Sequence, residues 1–324
     1  MSLRSSRRSS LCCEDRGIAA ERHCPVSGRH NTRRFRLFPR AVTARPTMLR
    51  WESITAWGRR ASDVGATAPV SPIRDTILES VIAHEQVELL FQPIIDASTG
   101  RVAGAEALAR SAVASTAEAL FARADAAALG ERLSRLVQHK ALCSASVWEG
   151  VLRDLRVSIN LLPADICRAG YDRWLLDEIA AAGIDPRRVT LEITESALLA
   201  DRESVAARLT ALREAGLRIA VDDFGTGYAS LAYLTSLPLD MLKVDRGLIA
   251  EITEREPDRI VVKALIGLAR ELGLTVVVEG VETVEQLALI REWGCDLYQG
   301  FLGAPPLTQE ELARYAAVTQ VEPA

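Results

Sequence analysis

The chain has 324 residues, of which 48% are hydrophobic and 25% charged, enough apolar material for one large domain with a sizeable core. No apolar stretch reaches the length of a membrane span and no signal-peptide core follows the basic start, so neither a membrane-spanning nor a secreted protein is expected. Charge is uneven. Residues 1–60 hold fourteen Arg, no Lys and four acids, a net +10 in a chain of net −4, which leaves −14 on the remainder.

The first segment, Met1–Ser71, mixes Arg and Ser clusters such as RSSRRSS with scattered Pro and shows no sustained apolar periodicity. It is expected to be a disordered, solvated extension, and a variant of that reading starts translation at Met48. Arg- and Ser-rich, acid-poor segments also serve as organelle transit peptides or as basic arms for anionic surfaces. Six cysteines, Cys12, Cys13, Cys24, Cys143, Cys167 and Cys295, form no CxxC pair and no disulfide framework, which suits the reducing cytoplasm. The histidines, His23, His30, His84 and His139, do not end strand-like runs, which argues against a zinc site.

From Ile73 the sequence alternates helical and strand-like segments up to about residue 320. The spacing predicts a helix over Ile73–Gln86, strands at Glu88–Ile95 and Val102–Ala109, and a helical region over Ala117–Val151. Next come a strand at Arg156–Leu162, a helix at Asp172–Ala182 stopped by Gly183, and a strand at Val189–Glu195. A helix over Arg202–Ala215 stops at Gly216 before the strand Leu217–Asp222, and a short helix near Ser230–Ser236 precedes the strand Met241–Val244. Then follow a helix at Asp258–Leu272, a strand at Thr275–Val281, a helix at Val284–Trp293, a strand at Cys295–Phe301 and a last helix at Gln309–Ala317. Glycines placed just after helical runs are ordinary stop signals.

Strand-like runs mostly separated by helices predict a parallel α/β architecture. In VTLEITE, Thr190, Glu192 and Thr194 share one face and Val189, Leu191 and Ile193 the other, because side chains alternate along a strand. The same parity separates Asn160, Asp222, Lys243 and Glu279 from their apolar neighbours. Glu106, Asn160, Glu192, Asp222, Lys243, Glu279 and Gln299 thus recur at intervals that mostly suit one strand–helix unit. An open sheet feeds a switch point from a few strands, whereas a barrel collects one residue from nearly every strand at its C-terminal mouth. A TIM-like (β/α)8 barrel is therefore expected. Asp222 and Asp223, followed by a turn over Gly225–Gly227, and Lys243 with Asp245 then form half of a metal site, since clustered carboxylates repel unless a cation sits among them. Oxygen ligands of this kind select hard cations such as Mg²⁺ or Mn²⁺.

The stretches GAEALAR (Gly104–Arg110), SINL around Asn160, EITE (Glu192–Glu195), DDFGTGY (Asp222–Tyr228), LKVD (Leu242–Asp245), EGVET (Glu279–Thr283) and GCDLYQGF (Gly294–Phe301) resemble the EAL-type cyclic-di-GMP phosphodiesterases. The resemblance covers about Glu88–Pro306, with its motifs in order. It implies that Glu106, Asn160, Glu192 and Asp222 bind one divalent ion, that Asp222 and Asp223 help hold a second, and that the ions are Mg²⁺ or Mn²⁺. It implies Lys243 beside the attacking water, Glu279 and Gln299 beside the metals and water, and Glu195 steadying the DDFGTG loop. Asp245 and Glu282 would hydrogen-bond around Lys243 and the site, and Gln92 and Arg110 would contact the guanine and phosphate of the substrate. The implied reaction yields linear pGpG, and the implied alternative is a non-catalytic cyclic-di-GMP receptor or protein-interaction module. The resemblance also allows a homodimer through the region around the DDFGTG loop and implies no nucleic-acid polymer as partner.

Asp-Phe-Gly alone also marks kinases, but no HRD stretch and no GxGxxG loop accompany it here. Against the family pattern, Ser111 stands where a Trp is usual, and only LFARAD, Leu120–Asp125, remains of a longer segment on the guanine side. The expectation is a catalytic set that is complete and a substrate wall that is reduced.

Overall fold

The computed structural model of the chain describes residues 74–194, 202–225 and 232–320. The N-terminal extension, with the alternative start at Met48, lies outside the described residues, as do Ile73, Glu195 and residues 226–231 of the glycine-flanked turn.

The strands are β1 (Glu88–Asp96), β2 (Val102–Arg110), β3 (Arg156–Leu161), β4 (Val189–Thr194), β5 (Arg218–Phe224), β6 (Met241–Val244), β7 (Thr275–Val278) and β8 (Leu297–Tyr298), and they close a barrel in chain order. The helices are α1 (Thr76–Ala83), α2 (Ala117–Ala126), α3 (Gly130–Ser146), α4 (Pro163–Cys167), α5 (Tyr171–Ala182), α6 (Arg202–Glu214), α7 (Ala232–Ser236), α8 (Arg246–Ile249), α9 (Glu256–Glu271), α10 (Val284–Glu292) and α11 (Gln309–Gln320). The predicted helical region after β2 is thus two helices, and α4 and α8 are short helices that periodicity does not reveal. The predicted strands ending at Val281 and Phe301 stop at Val278 and Tyr298.

The expected all-parallel order needs one correction. β1 runs antiparallel to both β2 and β8, while the other neighbours are parallel. The cause is local. Asp96 Oδ1 accepts from the backbone N–H groups of Ser98 and Thr99 at 3.0 and 2.7 Å, and Gly100 takes φ +72°, so the chain reverses within a few residues. A parallel neighbour would need a crossover of a dozen residues or more. The reversal pairs Gln92 with Glu106 and so brings the first half of β1 to the C-terminal mouth of the barrel.

Alternation along the strands then sorts the core. Val157, Ile159, Leu191, Ile193, Ile219, Val221, Leu242, Val244, Val276 and Val278 are at most 2% exposed and belong to the large cluster that packs the helices on the barrel. The opposite parity fills the barrel interior: Ile94, Ala220, Met241 and Val277 make a small apolar layer, with Leu297 packed against it. That layer is a floor. One step further along the same faces stand Gln92, Asp222, Lys243, Glu279 and Gln299.

A satellite cluster of Leu78, Val81, Ile82, Leu120, Ala124 and Leu133 docks α1 and α2 beside the barrel. Asp75 caps α1 by accepting from Leu78 N–H at 3.0 Å, and it also takes two bonds from the Arg123 guanidinium at 2.5 and 3.0 Å. Hydrogen bonding from Arg123 and the Leu78 N–H lowers its carboxyl to about 2.

Two glycines with opposite roles test the packing. A Cβ on Gly300, at φ +155°, would fall 2.2 Å from the Val281 carbonyl oxygen and 2.3 Å from its nitrogen. A Cβ on Gly267 in α9 would meet nothing within 4 Å. Gly300→Ala should cost more than about 2 kcal/mol of unfolding free energy, and Gly267→Ala should add about 0.5–1 kcal/mol. Urea denaturation of the two variants measures both. Equal effects would mean that the close approach at Gly300 is not rigid.

Candidate active site

Lys243 is the centre of the barrel mouth. Its side chain is 1% exposed, and its Nζ lies 2.7 Å from Glu279 Oε1, 2.9 Å from Glu192 Oε2, 2.9 Å from Asp222 Oδ1 and 3.4 Å from Glu106 Oε2. The surrounding amides bind the carboxylates in turn. Asn160 Nδ2 donates to Glu106 Oε1 at 2.9 Å, and Gln299 Nε2 donates to Glu106 Oε2 and to Gln92 Oε1, both at 3.0 Å. Each of the eight strands, or the residue just beyond it, contributes one member: Gln92, Glu106, Asn160, Glu192, Asp222, Lys243, Glu279 and Gln299. Glu279 and Gln299 sit just past their strands, held by backbone bonds from Glu279 N–H to Val244 O at 3.0 Å and from Gln299 N–H to Val278 O at 2.9 Å.

The charges do not balance. Burial would discharge a lone lysine, but the carboxylates of Asp222, Glu106, Glu192 and Glu279 hold the Lys243 ammonium well above its ordinary range. Four carboxylates around one ammonium still repel each other. At 4 Å and a surface-like dielectric, one like-charge pair costs on the order of 4 kcal/mol. The acids respond according to their donors. Burial opposes ionisation of Glu106, but Lys243 and the amide donors of Asn160 and Gln299 outweigh it and lower its carboxyl. Glu192 shares only Lys243, and burial with the charges of Glu106 and Asp222 raises its carboxyl well above the usual range. Burial and the same neighbours push Glu279 up to about 8, and burial with the charges of Asp222 and Asp245 pushes Asp223 up to about 6.

Strict alternation would turn Asp222 and Asp223 to opposite faces of β5. A register shift between Val221 and Phe224 breaks the alternation, and Asp223 adopts φ +55°, a left-handed conformation that costs an L-residue roughly 1–2 kcal/mol. As a result, oxygens of Asp222, Asp223 and Glu279 lie within 4.8 Å of one another. Two buried oxygens, Asp222 Oδ1 and Gln299 Oε1, have no hydrogen-bond donor, since Lys243 Nζ meets the first as an ion pair off the line of a hydrogen bond. Clustered carboxylates with raised proton affinity and unsatisfied oxygens fit a hard divalent cation.

Gln92 joins the inner layer through Gln299 and donates to Ala304 O at 3.4 Å. Arg110 donates from Nη1 to its neighbour Ala109 O at 2.9 Å. Asp245, just beyond the end of β6 at Val244, caps α8 by accepting from Gly247 N–H at 2.8 Å, and its charge reaches Asp223. The Glu282 side chain is exposed beyond β7, and its backbone N–H donates to Gln286 Oε1 at 2.8 Å.

One group of residues was not foreseen. Behind β3, Gln138 Nε2 donates to Asn160 O at 3.1 Å, and Tyr171 OH donates to Gln138 Oε1 at 2.8 Å. Ser134 Oγ donates to Asp165 Oδ2 at 2.5 Å, and Arg168 Nη2 to Asp165 Oδ1 at 3.0 Å. Asp165 is fully buried, and this network fastens the backbone of Asn160 to α3, α4 and α5. In the sequence, Gln138 is one polar residue in an ordinary amphipathic helix. The mouth also meets α2 and α3. A cavity of about 340 Å³ at the mouth is lined on the barrel side by Glu106, Asn160, Asp222, Asp223, Lys243 and Glu279, and on the other by Ala117, Glu118, Phe121 and Val137. The segment after Arg110, expected to leave a reduced wall, places α2 there.

Residues 74–306 match the EAL domain family. The cyclic di-GMP phosphodiesterase NbdA of Pseudomonas aeruginosa is 36% identical over 243 residues, 74% of this chain and 31% of that relative. The chain spans less than half the length of the curated relatives it matches. Among solved structures, the PaMucR phosphodiesterase in its c-di-GMP complex matches with a TM-score of 0.69 and 32% identity over 73% of this chain and 98% of that one. The manganese and cyclic-di-GMP complex of Klebsiella pneumoniae BlrP1 matches with a TM-score of 0.63 and 33% identity over 68% of this chain and 56% of that one. No helix among the described residues is long and apolar enough to cross a membrane.

Two measurements check the electrostatics and the bracing. In the metal-free site Glu279, pushed up to about 8, holds a proton at pH 7, and burial with the charges of Glu106 and Asp222 moves Glu192 in the same direction. A cation binds the ionised forms, so binding should release protons, and its affinity should rise with pH through the range between about 6 and about 8 set by Asp223 and Glu279. Calorimetric titration of Mn²⁺ in buffers of different ionisation enthalpy reads the proton count; heats independent of the buffer would contradict it. Gln138→Leu strips the Asn160 carbonyl and the Tyr171 hydroxyl of their partner and should cost about 1–3 kcal/mol of stability and weaken Mn²⁺ roughly tenfold to hundredfold.

Proposed function

The chain belongs to the EAL domain family, and from that membership we propose that it is a metal-dependent phosphodiesterase hydrolysing cyclic-di-GMP to linear pGpG. The observation that carries this reading is Lys243, buried within 2.7–3.4 Å of four carboxylates at one barrel mouth. Relatives at this level of identity are named cyclic di-GMP phosphodiesterases.

In this reading Glu106, Asn160, Glu192 and Asp222 hold one Mg²⁺ or Mn²⁺ ion, and Asp222 with Asp223 holds part of a second. Such a pair supplies Lewis acidity toward a phosphoryl oxygen and lowers the pKa of water. The chain does the rest. Lys243, kept charged by its neighbours, has no lone pair with which to act as a base. It donates from Nζ to the attacking oxygen, positioning the water and stabilising the negative charge that develops as the water loses its proton. Gln299 Oε1, buried without a donor, accepts from the same water and turns its lone pair toward phosphorus. Glu279, within 2.7 Å of Lys243, takes up the water proton as attack proceeds. One P–O bond forms to water, the P–O bond to the ribose 3′ oxygen breaks, and the 3′ oxygen ends as a hydroxyl, its added proton balanced by the one Glu279 took from the water.

Purified chain should cleave cyclic-di-GMP with Mg²⁺ or Mn²⁺, lose activity in EDTA, and recover little with Ca²⁺, which prefers longer bonds and looser geometry. Glu106→Ala should lower the rate by orders of magnitude, and Lys243→Ala should lower kcat by about 10²–10³-fold with less effect on substrate binding. Chromatography of the products measures all of this. Full activity in chelator would sink the reading, and tight binding without turnover would make the chain a receptor.

A further inference from the structure

Away from the barrel mouth, a second cluster of titratable side chains stands between α3 and α5. His139 lies midway between two partners. Its Nδ1 is 2.6 Å from Glu178 Oε2 on α5, and its Nε2 is 3.5 Å from Cys143 Sγ, one turn further along α3. The preceding turn keeps the same register: the Arg135 guanidinium sits 4.8 Å from the centre of the Trp174 ring, so the two helices are joined at both turns. An ionised carboxylate can only accept, so Nδ1 carries a proton toward Glu178 and Nε2 faces the sulfur. The hydrogen bond to Cys143, and after it the one to Glu178, push the imidazole up to about 9 against its partial burial. Sulfur and carboxylate meet opposite nitrogens of one ring, which makes a relay rather than a cage for a metal ion. The relay is open to solvent: Cys143 is half-buried, and the His139 side chain is 41% exposed.

This arrangement suits an activated thiol. The thiolate is the nucleophilic form of cysteine, and an adjacent imidazolium favours it. We propose that Cys143, His139 and Glu178 form a reactive-thiol site whose substrate is a hydroperoxide and whose product is a cysteine sulfenic acid. The sulfur passes its proton to His139 Nε2 and attacks one peroxide oxygen. An S–O bond forms, the O–O bond breaks, and sulfur loses the electron pair that the peroxide gains. The proton on Nε2 goes to the departing oxygen, which leaves as water or an alcohol, and the imidazole ends neutral with Nδ1–H toward Glu178. His139 is the proton carrier, and Glu178 is the positioning residue that orients its ring. The site is independent of the cyclic-dinucleotide reading, because α3 turns Gln138 inward to Asn160 O and His139 outward.

The three cysteines among the described residues act as controls for one another. The full chain is treated at pH 7 with hydrogen peroxide and dimedone, or separately with iodoacetamide, and each cysteine is followed by peptide mass spectrometry. By exposure alone, Cys167 at the end of α4 should react first, and buried Cys295, whose thiol burial pushes up to about 12, should react last. The proposal instead puts Cys143 about tenfold or more ahead of Cys167, a lead that vanishes in urea. His139→Gln should slow Cys143 roughly tenfold and Glu178→Gln less, with Cys167 unchanged in both and melting temperatures near that of the unmodified chain. Cys143 reacting no faster than Cys167, or as fast in His139→Gln as in the unmodified chain, would reduce the cluster to a contact between helices and overturn the proposal. Fast alkylation without a dimedone adduct would overturn it too, since the thiol would then not take a peroxide as substrate. If either variant fails to fold, the ratio of Cys143 to Cys167 in the unmodified chain still decides.

Discussion

An ammonium that is 1% exposed and shared by four carboxylates is the constraint around which the barrel mouth is built. Lysine could not remain charged there alone, because burial favours its neutral form, and the acids could not all ionise around a single positive charge. The compromise is uneven. Glu106, with amide donors from Asn160 and Gln299, ionises readily, while Glu192 and Glu279 hold their protons longer. Carboxyls whose proton affinity is raised by burial and by their neighbours' charge give up protons when a stronger positive charge arrives. Those properties suit a hard cation, as the proposed function requires.

The fold delivers this arrangement through departures from regularity. A uniform parallel barrel would have turned Gln92 to the opposite end; the hairpin at Asp96 reverses β1 and pairs Gln92 with Glu106. An unbroken β5 would have turned Asp223 away from Asp222; the register shift and the left-handed φ of Asp223 bring both to the mouth. Beneath them the apolar layer of Ile94, Ala220, Met241 and Val277 floors the polar layer and keeps it dry on one side. Behind Asn160, the network of Gln138, Tyr171, Ser134 and Asp165 spans three helices and ends on the Asn160 carbonyl. Strain and buried polarity both lie beside the site, where rigidity matters most to placing charge.

Much of this was legible before any coordinates. Period-two alternation in VTLEITE and MLKV located Glu192 and Lys243 on the inner face, because an alternating strand admits only one partition of its residues. The recurrence of single polar residues at strand ends located the mouth. What the sequence left hidden depends on contacts across long separations. Gln138 and Asn160 are far apart along the chain, and no local pattern marks a glutamine that donates to a distant carbonyl. Asp245 shares parity with Lys243, yet a helix cap claims it, since β6 stops one residue earlier. The segment LFARAD read as a loss because its composition departs from the family pattern, while its position on α2 gives it a wall to build.

The most direct test of the account is anomalous diffraction at the manganese edge from crystals of the chain grown with Mn²⁺ and cyclic-di-GMP. The account predicts two peaks about 4 Å apart, one bounded by Glu106, Asn160, Glu192 and Asp222 and one shared by Asp222 and Asp223, with a phosphate of the dinucleotide against them. Crystals containing the dinucleotide but showing no anomalous peak among those carboxylates, with Lys243 still paired to all four acids, would contradict it.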